Sequence, residues 1–194
     1  MIIHPERAAL SHRLDGKLDE LAKPFEGSVF RFVAPKYCAV SEMFAGKGPL
    51  YSDGRWLAQG DWLATYTALL PETALAEALA SNRYYGFPDE KSAPLVFVTA
   101  KAKLRQVIDL RDGKIRQRLR TSEASIIKTD WRKENNAGYE AITQGWGWAF
   151  QDSGVEGFIA PSAADQGGAN LIVFPGKLAR SSSLKVLSEV EWPR

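Results

Sequence analysis

Five residues of this 194-residue chain have types and surroundings that could do chemistry: Glu77, Arg31, Arg55, Tyr66 and Ser162. Glu77 lies in the run Pro71-Glu-Thr-Ala-Leu-Ala-Glu-Ala-Leu-Ala80, where a helix would place Thr73, Ala74, Ala80 and Ser81 three and four residues away. None of these is basic, so the carboxylate lacks the intrahelical partner that explains most surface glutamates. At the edge of an apolar stripe it needs a distant partner or a ligand. Arg31 stands between Phe30 and Phe32, and Arg55 stands in a Gly54-Arg55-Trp56 turn. A planar guanidinium supplies the fork of donors that suits a pyrophosphate. Tyr66 precedes Glu77 by eleven residues and can stack on a flat base or ring. Ser162 opens a loop in which Gly167, Gly168 and Asn170 let backbone approach a ligand. Each has an ordinary reading alone: a solvated helix glutamate, a solvent-facing strand arginine, a turn arginine stacked on Trp56, a core aromatic and a loop cap. Their joint occurrence is what carries weight.

Periodicity indicates the elements that must hold these side chains. Leu10, Leu14, Leu18 and Leu21 predict a short amphipathic leader helix from Ala8 to about Ala22, stopped by Pro24. Ser28 to Val33 alternates like a strand, and Ala34 to Gly60, rich in Gly, Pro, Ser and Asp, reads as a long loop of the kind that is commonly functional. Trp62 to Leu69 is apolar, and Pro71 with Glu72 starts the helix that carries Glu77. Leu95–Val98 and Gln106–Leu110 read as two short strands, and Arg111–Lys133 as a charged surface stretch of loop and helix. Ile142, Trp146, Ala149 and Phe150 form a helical stripe closed by Gly154. Gly157–Pro161 and Leu171–Pro175 read as buried strands flanking the Ser162 loop, and Leu184–Trp192 as another strand. Strands and helices mix without strict alternation, which predicts a compact α+β fold. The expected division is a leader helix over 1–26 and a main domain over 27–194.

Composition limits the alternatives. A chain of 194 residues with 45% hydrophobic residues and six tryptophans supports one core. The formal charge of +2 is close to balanced, and basic residues are scattered apart from Lys114–Arg120, which argues against direct nucleic-acid binding. Cys38, the single cysteine, excludes an internal disulfide framework. No apolar run approaches the roughly 20 residues that span a bilayer, and the N-terminus does not read as a secretion signal, so a cytoplasmic protein is expected. His4 and His12 lack cysteine or clustered acidic partners, and no metal is expected. Gly145-Trp-Gly147 follows a helical stripe and lacks a third glycine, so it is no dinucleotide fingerprint; a phosphate-binding loop and a nucleophile elbow are also missing.

From about Val29 to about Pro175, these residues resemble the arginine, glutamate, serine order for which RES-domain proteins are named, a family of NAD-consuming toxins from bacterial toxin-antitoxin pairs. The family shows an arginine in the first strand, a Gly-Arg-Trp element, a tyrosine followed by a helical glutamate, and a Pro-Ser-Ala motif leading to a strand. Here these are Arg31, Gly54-Arg55-Trp56, Tyr66, Glu77 and Pro161-Ser162-Ala163 followed by Asn170 to Phe174. Gln144, in Thr-Gln-Gly-Trp, is similar to a further family position.

The resemblance implies a fold like that of ADP-ribosyltransferase toxins, with NAD as substrate in a cleft between two small sheets. It implies cleavage of the nicotinamide–ribose bond through an oxocarbenium-like state, with Glu77, Arg31 and Ser162 as catalytic residues. Glu77 would hold the ribose hydroxyls and stabilise positive charge, and Arg31 with Arg55 would hold the pyrophosphate. Tyr66 would flank the nicotinamide or ribose, and Ser162 would fix the ribose or its acceptor. Asn170 and Gln144 complete the implied NAD-binding set. Water, phosphate or a protein side chain can accept ADP-ribose, giving a hydrolase, a phosphorylase or a protein ADP-ribosyltransferase; a catalytically silent nucleotide- or peptide-binding module is the rival. The family also implies a cognate antitoxin with a helix-turn-helix DNA-binding domain. Homo-oligomerisation and the roles of the leader and the 34–53 loop stay open.

Overall fold

A single sheet organises the chain in this computed structural model, which describes residues 1–37, 39–60 and 62–192. Cys38, and the disulfide expectation attached to it, lies outside the described residues. In chain order the elements are α1 (Arg7–His12), α2 (Leu18–Leu21), β1 (Ala22–Val33), α3 (Val40–Met43), α4 (Gly48–Tyr51), β2 (Thr65–Ala68) and α5 (Pro71–Tyr84). There follow β3 (Leu95–Asp109), α6 (Gly113–Arg118), α7 (Glu123–Lys128), α8 (Trp131–Asn136), α9 (Ile142–Ser153), β4 (Gly157–Pro161), β5 (Ala169–Val173) and β6 (Ser183–Trp192). The strand order is β1-β2-β5-β4-β3-β6, and β1 also pairs with β3, so five strands close on themselves and β6 extends along β3. This is the expected α+β class. Where the resemblance implied two small sheets, all six strands join in one, but β1 and β2 meet only at Phe30 opposite Ala68.

The leader departs from expectation. Its leucines are buried as their spacing predicts, with Leu10, Leu14 and Leu21 in the same core cluster as Phe150 and Phe158. Yet the helix is not continuous: α1 ends at His12, and Gly16 takes a left-handed φ of 67° before α2. Two short helices satisfy the leucine spacing as well as one long helix, and glycine enters the left-handed region without a Cβ clash. The first strand also begins earlier, at Ala22, and Pro24 sits within it at a register shift between Lys23 and Phe25. A bulge is where a strand tolerates a residue that cannot donate a ladder hydrogen bond. The division at 26/27 therefore falls inside β1, and α1 packs on α9.

The two short strands expected at Leu95–Val98 and Gln106–Leu110 are the ends of one strand, β3. Its middle alternates buried Ala100, Ala102 and Leu104 with exposed Lys101, Lys103 and Arg105, so small and charged residues hide a regular period of two. Its first part pairs antiparallel with β6 and its last residues pair parallel with β4. The core has an aromatic cluster that includes Trp56, Trp146, Phe150, Phe158 and Phe174, and a second aliphatic cluster around Val29, Ala100, Leu171 and Val173. No helix among the described residues is long and apolar enough to cross a membrane.

Candidate active site

Pro71 occupies the first turn of α5, where its missing N–H costs no helical bond, and the helix then buries Thr73, Ala74 and Leu79. Glu77, on the next turn, finds its partners across the fold. Its Oε1 accepts hydrogen bonds from Ser162 Oγ and from Asn170 Nδ2, each at 2.6 Å. Both donors are neutral, and among the described residues no cation is bonded to the carboxylate and its Oε2 accepts no hydrogen bond. Ser162 Oγ also accepts from the amides of Ala164 and Asp165 at 3.1 Å. With its hydrogen and both lone pairs in use, this hydroxyl orients Glu77 and closes its own loop. Thr73, one turn before Glu77, donates to Asp165 Oδ2 at 2.6 Å. The helix thus grips the 162–168 loop at two points. Gly168 completes the grip, because a Cβ there would run into the Asp165 carboxylate and the Thr73 hydroxyl.

The Gly54-Arg55-Trp56 turn is built from behind. Gln144, fully buried in the first turn of α9, donates to the Gly54 carbonyl at 2.9 Å and exchanges two 2.8 Å hydrogen bonds with the Asn135 amide. Its Oε1 also accepts from the Ala141 amide at 2.9 Å. Every donor and acceptor of the Gln144 amide is occupied by protein, and through its bond to the Gly54 carbonyl Gln144 positions the turn. Gly147 lies so close to Trp56 that a Cβ would be driven into the Trp56 carbonyl. The turn presents Arg55, whose Nη1 donates to the carbonyls of Ile126 (3.0 Å) and Thr129 (2.9 Å) at the end of α7. Burial lowers the Arg55 pKa, and the Glu77 charge opposes that shift. Tyr66 stands under the same turn. Its hydroxyl is buried beside the backbone of Trp56 and Leu57 without an aligned partner, and burial raises its pKa, while the residue as a whole is half-buried.

Arg31 is elsewhere. Residues directly opposite each other in a ladder share a face, and the register runs Phe30 to Ala68 to Asn170. Phe30 therefore points with Asn170, and Arg31, the next residue, points away. Its Nη1 donates to the Met43 carbonyl at 2.6 Å, its guanidinium lies 5.8 Å from the Phe44 ring, and its buried Nε has no partner. No carboxylate pairs with it among the described residues, and desolvation lowers its pKa to about 10.

Of the residues singled out by sequence, the structure joins Glu77, Ser162 and Asn170 by hydrogen bonds and brings up Arg55 and Tyr66 through the Gly-Arg-Trp turn. Gln144 stands behind that turn, and Arg31 faces the α3 segment. Sequence reasoning missed Thr73, Asp165, Gly147 and Asn135. Asp165 had a local signal, since a serine three residues ahead of an aspartate often closes a turn on its own backbone; the contacts of Thr73, Gly147 and Asn135 bridge elements distant in the chain. Among the described residues no group of three or more His, Cys, Asp or Glu side chains is placed to hold a metal ion.

A family model, the RES domain, matches residues 28–193. The chain belongs to the RES domain family. No curated protein matches the chain. Among solved structures, this RES domain protein is similar to a chain of the M. tuberculosis MbcT–MbcA toxin–antitoxin complex, with a TM-score of 0.74 and 20% identity over 94% of this chain and 91% of that one. At that identity the likeness speaks for the fold. The family match begins inside β1, so in this RES domain protein α1, α2 and the start of β1 precede the matched region while packing into its core.

Proposed function

We propose that this protein cleaves the bond between nicotinamide and ribose in NAD. The observation that carries the reading is Glu77, a carboxylate locked through one oxygen by two neutral donors while its other oxygen accepts nothing from the described protein. Such an oxygen is suited to accept from a ribose hydroxyl. As the C–N bond lengthens, its electron pair leaves with the nicotinamide, the pyridinium becomes neutral, and positive charge develops on the ribose beside the carboxylate. Fixed orientation matters because the charge must already point at the reacting carbon when the barrier is crossed. Ser162 and Asn170 provide that orientation, Arg55 offers a cation toward the diphosphate, and Tyr66 offers an aromatic wall. Water, phosphate or a protein side chain then captures the ribosyl carbon.

The test is release of free nicotinamide from NAD by the purified protein, compared with Glu77→Gln. Release by wild type and its loss in a folded Glu77→Gln variant support the reading; a fully active variant overturns it. Free ADP-ribose, a phosphorylated ADP-ribose, or ADP-ribose carried on protein distinguishes the three acceptors. Membership in the RES family, together with a structural neighbour solved as a toxin–antitoxin complex, supports a toxin role with a cognate antitoxin as partner. Expression alone should then arrest growth and deplete NAD, and either the antitoxin or Glu77→Gln should restore both.

A further inference from the structure

A half-buried arginine on α8, Arg132, follows closely on the carbonyl that holds Arg55. Arg55 donates to the Thr129 carbonyl, and the chain runs from there directly into Asp130, Trp131 and Arg132. The Arg132 guanidinium stacks 4.4 Å from the Trp131 ring centroid and 4.8 Å from that of Tyr84. Tyr84 is seven residues after Glu77 on α5, which is two turns along the same face and a rise of roughly 10 Å. Its hydroxyl donates to both Asp130 oxygens at 3.1 Å. Glu77, Arg55, Arg132 and Tyr84 therefore border one continuous surface, with the carboxylate at one end and aromatic rings at the other. Arg132 is half-buried and forms no ion pair among the described residues. The electrostatics agree, since Arg55 feels Glu77, Arg132 and Asp130.

Building on the proposed reaction, we propose that Arg132 joins Arg55 in the diphosphate clamp of this site, with the Tyr84 and Trp131 rings beside the nucleoside. Arg55 is tied to the Thr129 carbonyl and Arg132 to the Tyr84 and Trp131 rings, with the exposed Asp130 carboxylate between Thr129 and Trp131 in the chain, so one anion of higher charge can recruit both guanidinium forks. A nucleoside diphosphate unit meets that requirement, and the distance from Glu77 to Tyr84 suits a dinucleotide whose scissile ribose sits at the glutamate. Asp130 screens the two cations until the ligand arrives.

ADP, which has a diphosphate and no scissile bond, tests the clamp apart from the chemistry. Calorimetric titration of the whole protein should show saturable ADP binding. Arg132→Met keeps the stem against both rings while removing the fork, and should weaken ADP by about ten- to a hundred-fold. Asp130→Asn retains an acceptor for the helix cap and removes the charge, and should tighten ADP by about two- to five-fold. Lys133→Ala, which removes a neighbouring exposed charge, should bind like wild type. A melting curve for each variant guards against misfolding. Wild-type affinity in Arg132→Met, weaker binding in Asp130→Asn, or no ADP binding by the wild type overturns the clamp. A protein that binds ADP through Arg132 yet releases no nicotinamide would keep the clamp and lose the proposed reaction.

Discussion

Removing the Ser162 hydroxyl should disable the site in a way that separates orientation from stability. Glu77 Oε1 is held by two hydrogen bonds of 2.6 Å. Hydrogen bonds to charged groups contribute about 1.5–3 kcal/mol each. Ser162→Ala removes one of them, and if that energy is expressed in the transition state, nicotinamide release falls by about ten- to a hundred-fold in kcat. The same substitution strips the acceptor from the Ala164 and Asp165 amides, which costs about 1–3 kcal/mol if they stay dry. In a chain of this size each kcal/mol lowers Tm by roughly 2–4 °C. Asn170→Ala loses its bond to Glu77 without freeing those amides, so it should show a similar loss of kcat with a smaller fall in Tm. KM should change less than kcat in both, because the perturbed group acts where charge develops. The assay is steady-state nicotinamide release beside thermal melts. Ser162→Ala and Asn170→Ala proteins that both release nicotinamide like wild type would refute the proposal that these donors orient Glu77 for the reaction.

Gly147→Ala should destabilise the protein by at least about 1–3 kcal/mol, because the new methyl group meets the Trp56 carbonyl; an unchanged melting temperature would show that α9 does not brace the Gly-Arg-Trp turn. Arg31→Met should raise Tm by a few degrees, since a half-buried cation with a buried, unpartnered Nε and no carboxylate partner among the described residues is replaced by an apolar side chain of similar shape. The folded-state pKa of Arg31 lies below its ordinary value, so its penalty is in full force below about pH 10 and shrinks as pH rises beyond it; the Tm gain should be largest in the neutral range, and a loss of Tm there would refute the argument. Tyr66→Phe should change stability little, because the buried hydroxyl lies beside the Trp56 and Leu57 backbone without an aligned hydrogen bond. Spectroscopic titration should find Tyr66 and Tyr84 both ionising above ordinary tyrosines in the wild type, and only the Tyr84 component should remain in the variant.

Local order was legible along the chain wherever it depended on near neighbours. Pro71 starting α5, Gly154 ending α9 in a left-handed conformation, and the leucine spacing that buries Leu10, Leu14 and Leu21 all follow from interactions within a few residues. Glu77 was legible for the same reason: the four residues that could have paired with it are uncharged, so its partner had to come from elsewhere. The order of motifs was sufficient to name the family. Tertiary structure decided which atoms meet. Whether Arg31 faces Glu77 depends on the pairing of β1 with β2 and of β2 with β5, and because side chains alternate across a sheet, one residue of register carries Arg31 to the other face. Gln144 and Ser162 carry ligand-binding side chains by type, yet the fold occupies every polar valence of both with its own groups. The charged stretch from Arg111 to Lys133 offered no local sign that its Ile126 and Thr129 carbonyls would receive Arg55. Arg55 and those carbonyls lie far apart in the chain, and the hydrogen bonds between them, which tie the Gly-Arg-Trp turn to the segment leading into α8, are a long-range arrangement that no local pattern encodes.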